Sequence, residues 1–240
     1  MIECRGNPLW LPTICGRPRG AAPTEKIKKQ ETNMGQETKS ISNLATREAY
    51  GKKLSELGAT HPEIVVLDAD LSGSTKTYEF SKKFPQRFFN VGVAEQDLMG
   101  TAAGLAQSGF TVFASTFTIF ATGRAWEVVR QSIAYPHFNV KICSTHSGIT
   151  VGEDGASHQS IEDIALMRVI PGMTVLVPAD AWQTYSMMDF LVSHKGPAFM
   201  RLGRAGAPDV FGPYYKFTLG RGDVLKTGRD ICIFATGFVT

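Results

Sequence analysis

The sequence predicts an α/β protein: a doubly wound, mostly parallel sheet, followed by the start of a second, truncated α/β domain. Three observations carry this. Short apolar runs alternate with helix-length segments along most of the 240 residues. Runs such as "EIVVLDAD", "FTVFAST" and "VKICSTH" are nearly continuous, as strands buried on both faces are. The chemically conspicuous residues Asp68, Asp70, Glu95, Phe117, His146, Asp154, His158 and Arg204 fall at or just past the ends of those runs. Ligands of open parallel sheets bind there.

Taken in order, residues 1–40 are rich in Pro, Gly and charge without periodicity, which predicts disorder. Met34 offers a second start, so residues 1–33 read as a mis-called extension. The main α/β domain is placed at 41–208. It opens with the helix "LATREAYGKKLSELG", with Thr46 as N-cap and Gly58 as stop. A strand "EIVVLDAD", a loop "LSGST" and a short helix at Tyr78–Lys83 follow. "RFFNVGV" is the next strand, and "AEQDLMGTAAGLAQ" a helix whose Gly and Ala residues allow close approach of a neighbour. "FTVFAST" is a strand and "FTIFATGRAWEVVRQSIAY" one long helix. After the strand "VKICSTH" comes the Gly-rich loop "SGITVGEDGASHQS". The helix "IEDIALMRVI", the strand "MTVLVP", a helix starting at Asp180 and the strand "PAFMRLGR" close the series. Residues 209–240 read as a linker, a hairpin-like stretch and one apolar strand, "ICIFA", beginning an incomplete domain.

Composition excludes several classes. Residues 1–33 hold six Lys/Arg and three Asp/Glu, while residues 34–240 hold nineteen of each, so the net +3 lies in the N-terminal segment. There is no basic stripe with interleaved aromatics, which argues against nucleic acid. No apolar run reaches membrane-spanning length. The N-terminus lacks the plan of a signal peptide, and the four cysteines form no CxxC pair. Cys143 and Cys232 sit in apolar runs and read as small buried hydrophobes. A reduced, cytoplasmic chain is expected. The phosphate loops GxxxxGK[ST] and GxGxxG and the GxSxG elbow are absent.

The remaining motifs have two readings each. His146 and His158, with Glu153 and Asp154 between them, could suggest a metal, but no compact ligand spacing is present, so no metal site is assigned. Groups holding a hydroxylated substrate fit that loop better, with glycines letting backbone approach a ligand. Phe117 and Phe120, at i and i+3, are either core packing or a slot for a flat ring. Arg201 and Arg204 are either solvated or anion-binding. Ser74, ahead of a helix, is a candidate phosphate contact. Asp97 has no assigned role beyond solvating the first turn of its helix.

The segments "DADLSGS", "NVGVAEQDLMGTAAGLA", "ASTFTIFATGRAWE", "STHSGITVGEDGASHQSIEDIALMRVIPGMTV" and "FMRLGRA", in this order, resemble the transketolase family. The resemblance covers the pyrimidine-binding domain, about Leu44 to Pro208, and "GEDGASHQ" leans toward transketolase itself. It implies a two-carbon ketol transfer between sugar phosphates, as in the pentose phosphate pathway, with thiamin diphosphate and Mg2+. By the resemblance, Glu95 meets N1′ of the aminopyrimidine and is the catalytic acid–base group, which needs a carboxyl in an apolar setting. Phe117 and Phe120 match the aromatics packing on that ring. Where many relatives continue with a tyrosine this chain has Gly123; Arg124, taken as a cofactor contact, and Trp126 lie close by and are expected to compensate. Asp70 matches an acid near the cofactor across a dimer interface. His146 and His158 match donor-sugar contacts that orient and shuttle protons, Asp154 a hydroxyl contact, and Ser74 and Arg204 phosphate contacts.

The family's GDG…Asn motif for magnesium and diphosphate is absent. The resemblance therefore implies the C-terminal subunit of a split transketolase, with a separate N-terminal subunit holding Mg2+ and homodimerisation giving a heterotetramer. Two rivals stand beside it. One is a related thiamin-diphosphate subunit, of the 1-deoxyxylulose-5-phosphate synthase or 2-oxo-acid dehydrogenase β type. The other is a non-catalytic dimerisation fragment.

Overall fold

A computed structural model describes residues 43–240, so the predicted disorder of 1–40 lies outside the described residues. Six strands form one sheet: β1 (Ile64–Asp68), β2 (Phe88–Asn90), β3 (Thr111–Ser115), β4 (Val140–Ser144), β5 (Thr174–Leu176) and β6 (Ala198–Arg201). Their order is β2-β1-β3-β4-β6-β5, and every pairing is parallel. Every residue of β1, β3 and β4 is buried. Alternate side chains enter two separate cores: Val65 and Leu67 one, Ile64 and Val66 the other. Both faces of the pleat are apolar, which is why the sequence shows runs rather than alternation.

The helices α1 (Thr46–Thr60), α3 (Tyr78–Lys83) and α7 (Ala181–Ser193) cover one face through Tyr50, Leu54, Phe80, Met188 and Leu191. The other face is covered by α4 (Glu95–Gln107), the segment around α5 (Trp126–Val128), and α6 (Asp163–Arg168). From β1 the chain crosses to β2 on one side and then to β3 on the other. That reversal opens a crevice at the carboxyl ends, where Asp68 pairs in register with Asn90 and with Ser115.

Several elements differ from expectation. Thr46 does not cap α1: its hydroxyl accepts from Gly203 N at 2.8 Å, and Ala45 is the cap residue. Gly58 does not stop α1 but lies within it, where a Cβ would meet the Phe80 and Phe84 rings at 2.5 and 2.6 Å. The glycine is there for close packing. "LSGST" is a one-turn helix, α2 (Ser72–Thr75), ended by Lys76 at φ +71°. Asp68 holds that turn, accepting from Leu71 N and the Thr75 and Thr77 hydroxyls at 2.6, 2.6 and 2.8 Å.

The long helix after β3 is interrupted by two wide π turns, Phe120–Arg124 and Val129–Ala134. Their i→i+5 bonds are Ala125 N to Phe120 O at 3.1 Å and Tyr135 N to Arg130 O at 3.0 Å. Such turns concentrate at functional sites. Asp180 caps α7 as expected, accepting from Gln183 N at 2.8 Å.

Residues 209–240 contain no strand, so "ICIFA" is not one here. Cys232 is exposed, whereas Cys143 is buried as expected. No helix among the described residues is long and apolar enough to cross a membrane.

Candidate active site

The carboxyl ends of β3 and β4 bring four rings together. Phe117 follows β3 and is bridged to Thr145 after β4. Its ring lies 6.3 Å from Phe120, nearly parallel at 12°. On Phe117 stacks the His146 imidazole, at 3.9 Å and 27°. His158 meets Phe117 and Phe120 edge-on, at 6.1 and 5.4 Å. Of the two readings the sequence left open, both hold in part: Phe117 is buried, while Phe120 keeps part of its surface exposed.

Glu95, the first residue of α4, is only 2% exposed. It is not in a purely apolar setting, because Arg124 Nη1 donates to its Oε2 at 2.9 Å. The same guanidinium lies 5.0 Å from the Phe120 ring centroid. Arg124 thus joins the aromatic pair to the carboxylate. Trp126 does not join them: its Nε1 donates to Leu166 O at 2.9 Å, and it packs against the core. The position of Gly123 is open, with nothing within 4 Å of where a Cβ would lie.

His146 adopts φ +60° and is buried. Thr145 Oγ1 lies 2.8 Å from its Nδ1, and Arg47 Nη1 lies 3.4 Å from its Nε2. A guanidinium only donates, so Nε2 must accept and Nδ1 carries the proton. Burial first, then the charges of Arg47 and Arg204, push its pKa down to about 4. His146 is therefore neutral near pH 7, a state that accepts a proton rather than donating one as an imidazolium.

The loop after β4 is organised by two arginines from β6 and beyond. Arg201 Nε donates to the buried Asp163 at 2.8 Å. Arg204 Nη2 donates to Glu153 at 3.2 Å, Nη1 lies 3.9 Å from Asp154, and Nη1 also donates to the Val151 carbonyl. Gly148 and Gly152, at φ +77° and +85°, would place a Cβ 2.9 Å from the Arg201 guanidinium and 2.6 Å from that of Arg204. These glycines admit protein guanidiniums, where the sequence suggested a ligand. Arg204 and Asp154 form a long ion pair, and their side chains stay 27% and 37% exposed.

Two predicted residues stand outside this cluster. Asp70, at φ +63°, lies exposed just past β1 and accepts from Asn90 Nδ2 at 2.8 Å. Ser74 lies in the one-turn α2, ahead of α3, and its carbonyl accepts from Arg47 Nη1 at 3.0 Å. Among the described residues no three His, Cys, Asp or Glu side chains gather as a metal would need.

Sequence reasoning missed Arg47, which reaches both Ser74 and His146, and whose Nε is buried without a hydrogen-bond partner. It also missed the Thr118–Ser147 hydroxyl pair, 2.6 Å apart beneath the loop. Arg47 looks like any helix-surface arginine, and no local pattern marks it.

The chain is similar to known proteins in sequence and in fold. Residues 42–208 match the family described as transketolase, pyrimidine binding domain. A protein of Methanocaldococcus jannaschii named as a transketolase C-terminal section is 52% identical over 193 residues, 80% of this chain and 61% of the relative. One subunit of the apulose-4-phosphate transketolase of Phocaeicola vulgatus is 38% identical over 195 residues, 81% of this chain and 62% of the relative. The chain thus spans about 60% of the length of these curated relatives. A solved structure described as a split gene transketolase, inactive beta4 tetramer, superimposes with a TM-score of 0.75 at 58% identity, over 82% of this chain and 64% of that one. By its sequence, its sheet and these matches, the chain belongs to the transketolase family, through the pyrimidine-binding domain.

Proposed function

We propose that this chain is the pyrimidine-binding subunit of a thiamin-diphosphate-dependent transketolase, moving a two-carbon ketol unit from a ketose phosphate to an aldose phosphate. The observation that carries it is the buried Glu95 carboxylate, linked by Arg124 to the near-parallel Phe117–Phe120 pair. Flat aromatic surface beside a buried acceptor fits a heteroaromatic ring with a polar edge. Thiamin diphosphate, when bound, supplies the carbon nucleophile that breaks and forms the ketol carbon–carbon bond.

The chain's own residues do the rest. Glu95 would hold or release a proton at a nitrogen of the bound ring, and Phe117 and Phe120 would exclude water from it. Neutral His146 serves as a hydrogen-bonding and packing group, and His158 closes the aromatic rim. Arg47, with its unpartnered Nε, and Arg204 supply cationic donors for a sugar phosphate. Asp154 is the candidate hydroxyl acceptor and Asp70 the candidate contact to a cofactor shared between chains.

We further propose a separate N-terminal subunit that holds the diphosphate and Mg2+, and pairing of two such units into a heterotetramer. The relatives' names as a C-terminal section, a transketolase subunit and a split gene product support this organisation. So does the exposed surface of α4 at Gly100 and Gly104, where nothing lies within 4 Å of a Cβ position and another chain can approach closely. Residues 209–240 are read as a linker leading toward a further domain.

Turnover of xylulose 5-phosphate against pyruvate as donor, with the partner chain present, tests the assignment: ketol transfer is expected and pyruvate use would overturn it. In the same complex Glu95→Ala should lose at least a factor of about 10² in rate. Unchanged turnover would mean a non-catalytic module.

A further inference from the structure

Arg124 makes both contacts that the cofactor ring is proposed to make. Its guanidinium is planar, donates an N–H to Glu95 Oε2 at 2.9 Å, and lies 5.0 Å from the Phe120 centroid. We infer that Arg124 is a built-in place-holder for the aminopyrimidine ring, pairing with Glu95 in the cofactor-free protein and yielding that position when the cofactor enters. The inference rests on the cofactor assignment above.

Three features fit a group that holds and then leaves. Glu95 is 2% exposed, whereas the Arg124 side chain is 53% exposed. A buried carboxylate without a partner is costly, so the cofactor-free site needs a cation. The exposed half of Arg124 lets that cation withdraw to water. Next, the residue before it is Gly123, with open space where a side chain would stand. Among the described residues no other element packs within 4 Å there to block the side chain's withdrawal. Finally, Arg124 ends the π turn Phe120–Arg124, and its carbonyl accepts from Gln96 Nε2 at 3.3 Å. The backbone is tied to α4 beside Glu95, so only the side chain has to move. A self-paired site binds more weakly by the fraction of molecules in which the site is free. Arg124 therefore tunes cofactor affinity.

The experiment is calorimetric titration of thiamin diphosphate with Mg2+ into the assembled complex of this chain and its diphosphate-binding partner. Wild type is compared with Arg124→Ala, Arg124→Met and Glu95→Gln, and with Glu95→Gln combined with Arg124→Ala. Removing Arg124 should tighten Kd by about 5- to 10-fold. In the Glu95→Gln background the tightening should vanish, because the arginine no longer has its partner. A Kd unchanged within about twofold, or weakened, overturns the place-holder and makes Arg124 a bystander or a cofactor ligand. Should both Arg124 variants fail to fold, the Arg124 Nε–Hε resonance of the wild-type complex decides. It should shift when thiamin diphosphate is added, and an unmoved signal overturns the inference. A wild-type complex that binds no thiamin diphosphate removes the cofactor assignment itself. Wild-type binding without tightening removes only the place-holder.

Discussion

Packing on Phe117 and the nearby Arg47 and Arg204 charges keep the His146 imidazole neutral down to about pH 4. An unfolded histidine titrates near 6.5. Between those values the unfolded chain binds more protons than the folded one, so stability falls as pH is lowered from 6.5 toward 4. The loss attributable to His146 should reach about 2 kcal/mol at pH 5. His146→Gln should flatten that segment of a urea-denaturation profile measured from pH 7 to 5. A wild-type profile with the same slope as the variant would refute the assignment. The sequence made His146 conspicuous because it follows a strand, and strand ends are where this fold gathers ligands. It could not disclose the protonation state. That depends on Arg47, which lies 99 residues away on α1. The same holds for Glu95: its position was legible, but its partner 29 residues on required the width of a π turn to be known.

At the scale of elements, a local signal holds where the side chain has no tertiary partner to divert it, and fails at Thr46 and Gly58, which have one. Asp180 begins a helix by a short-range rule, a side-chain acceptor facing an early N–H, and α7 starts where that rule puts it. Its second oxygen does something no local rule foresees. Oδ2 accepts from Val210 N at 2.7 Å and Phe211 N at 2.6 Å, fastening the segment after β6 to the start of α7. Asp180→Ala removes a cap and leaves two N–H groups of that segment without their acceptor. The expected cost is about 2–4 kcal/mol, measured by chemical denaturation. Asp180→Asn, which keeps acceptor capacity, should lose less. Gly58 shows the opposite failure. A glycine near the end of a helical pattern reads as a stop, yet here it makes room for Phe80 and Phe84 from another helix. Sequence pattern carries no record of which rings lie opposite.

For the molecule as a whole, the class of fold was legible because strands buried on both faces have a composition of their own. Strand order was not: β6 enters between β4 and β5, and parallel runs of similar apolar content carry no address. Residues 209–240 mark the limit of composition as a guide. "ICIFA" has the make-up of a strand, but Ile231, Ile233 and Phe234 are 81%, 83% and 81% exposed. The segment is fastened in its first part by Val210 and Phe211 to Asp180 and by Phe217 N to Ser186 Oγ at 2.7 Å, and at its end by the buried Gly237 against Val177. There Thr236 Oγ1 reaches Val177 O at 3.5 Å, a marginal contact. Two truncations of this chain should therefore behave differently. Ending it after Leu219 should leave the thermal midpoint within about 2 °C, because little apolar burial is lost. It should also reduce self-association in light scattering, since exposed apolar clusters drive association. Ending it after Pro208 should lower the midpoint by several degrees, because Asp180 and Ser186 lose their partners. Equal midpoints for the two truncations would show that the fastening at Asp180 contributes nothing to the fold.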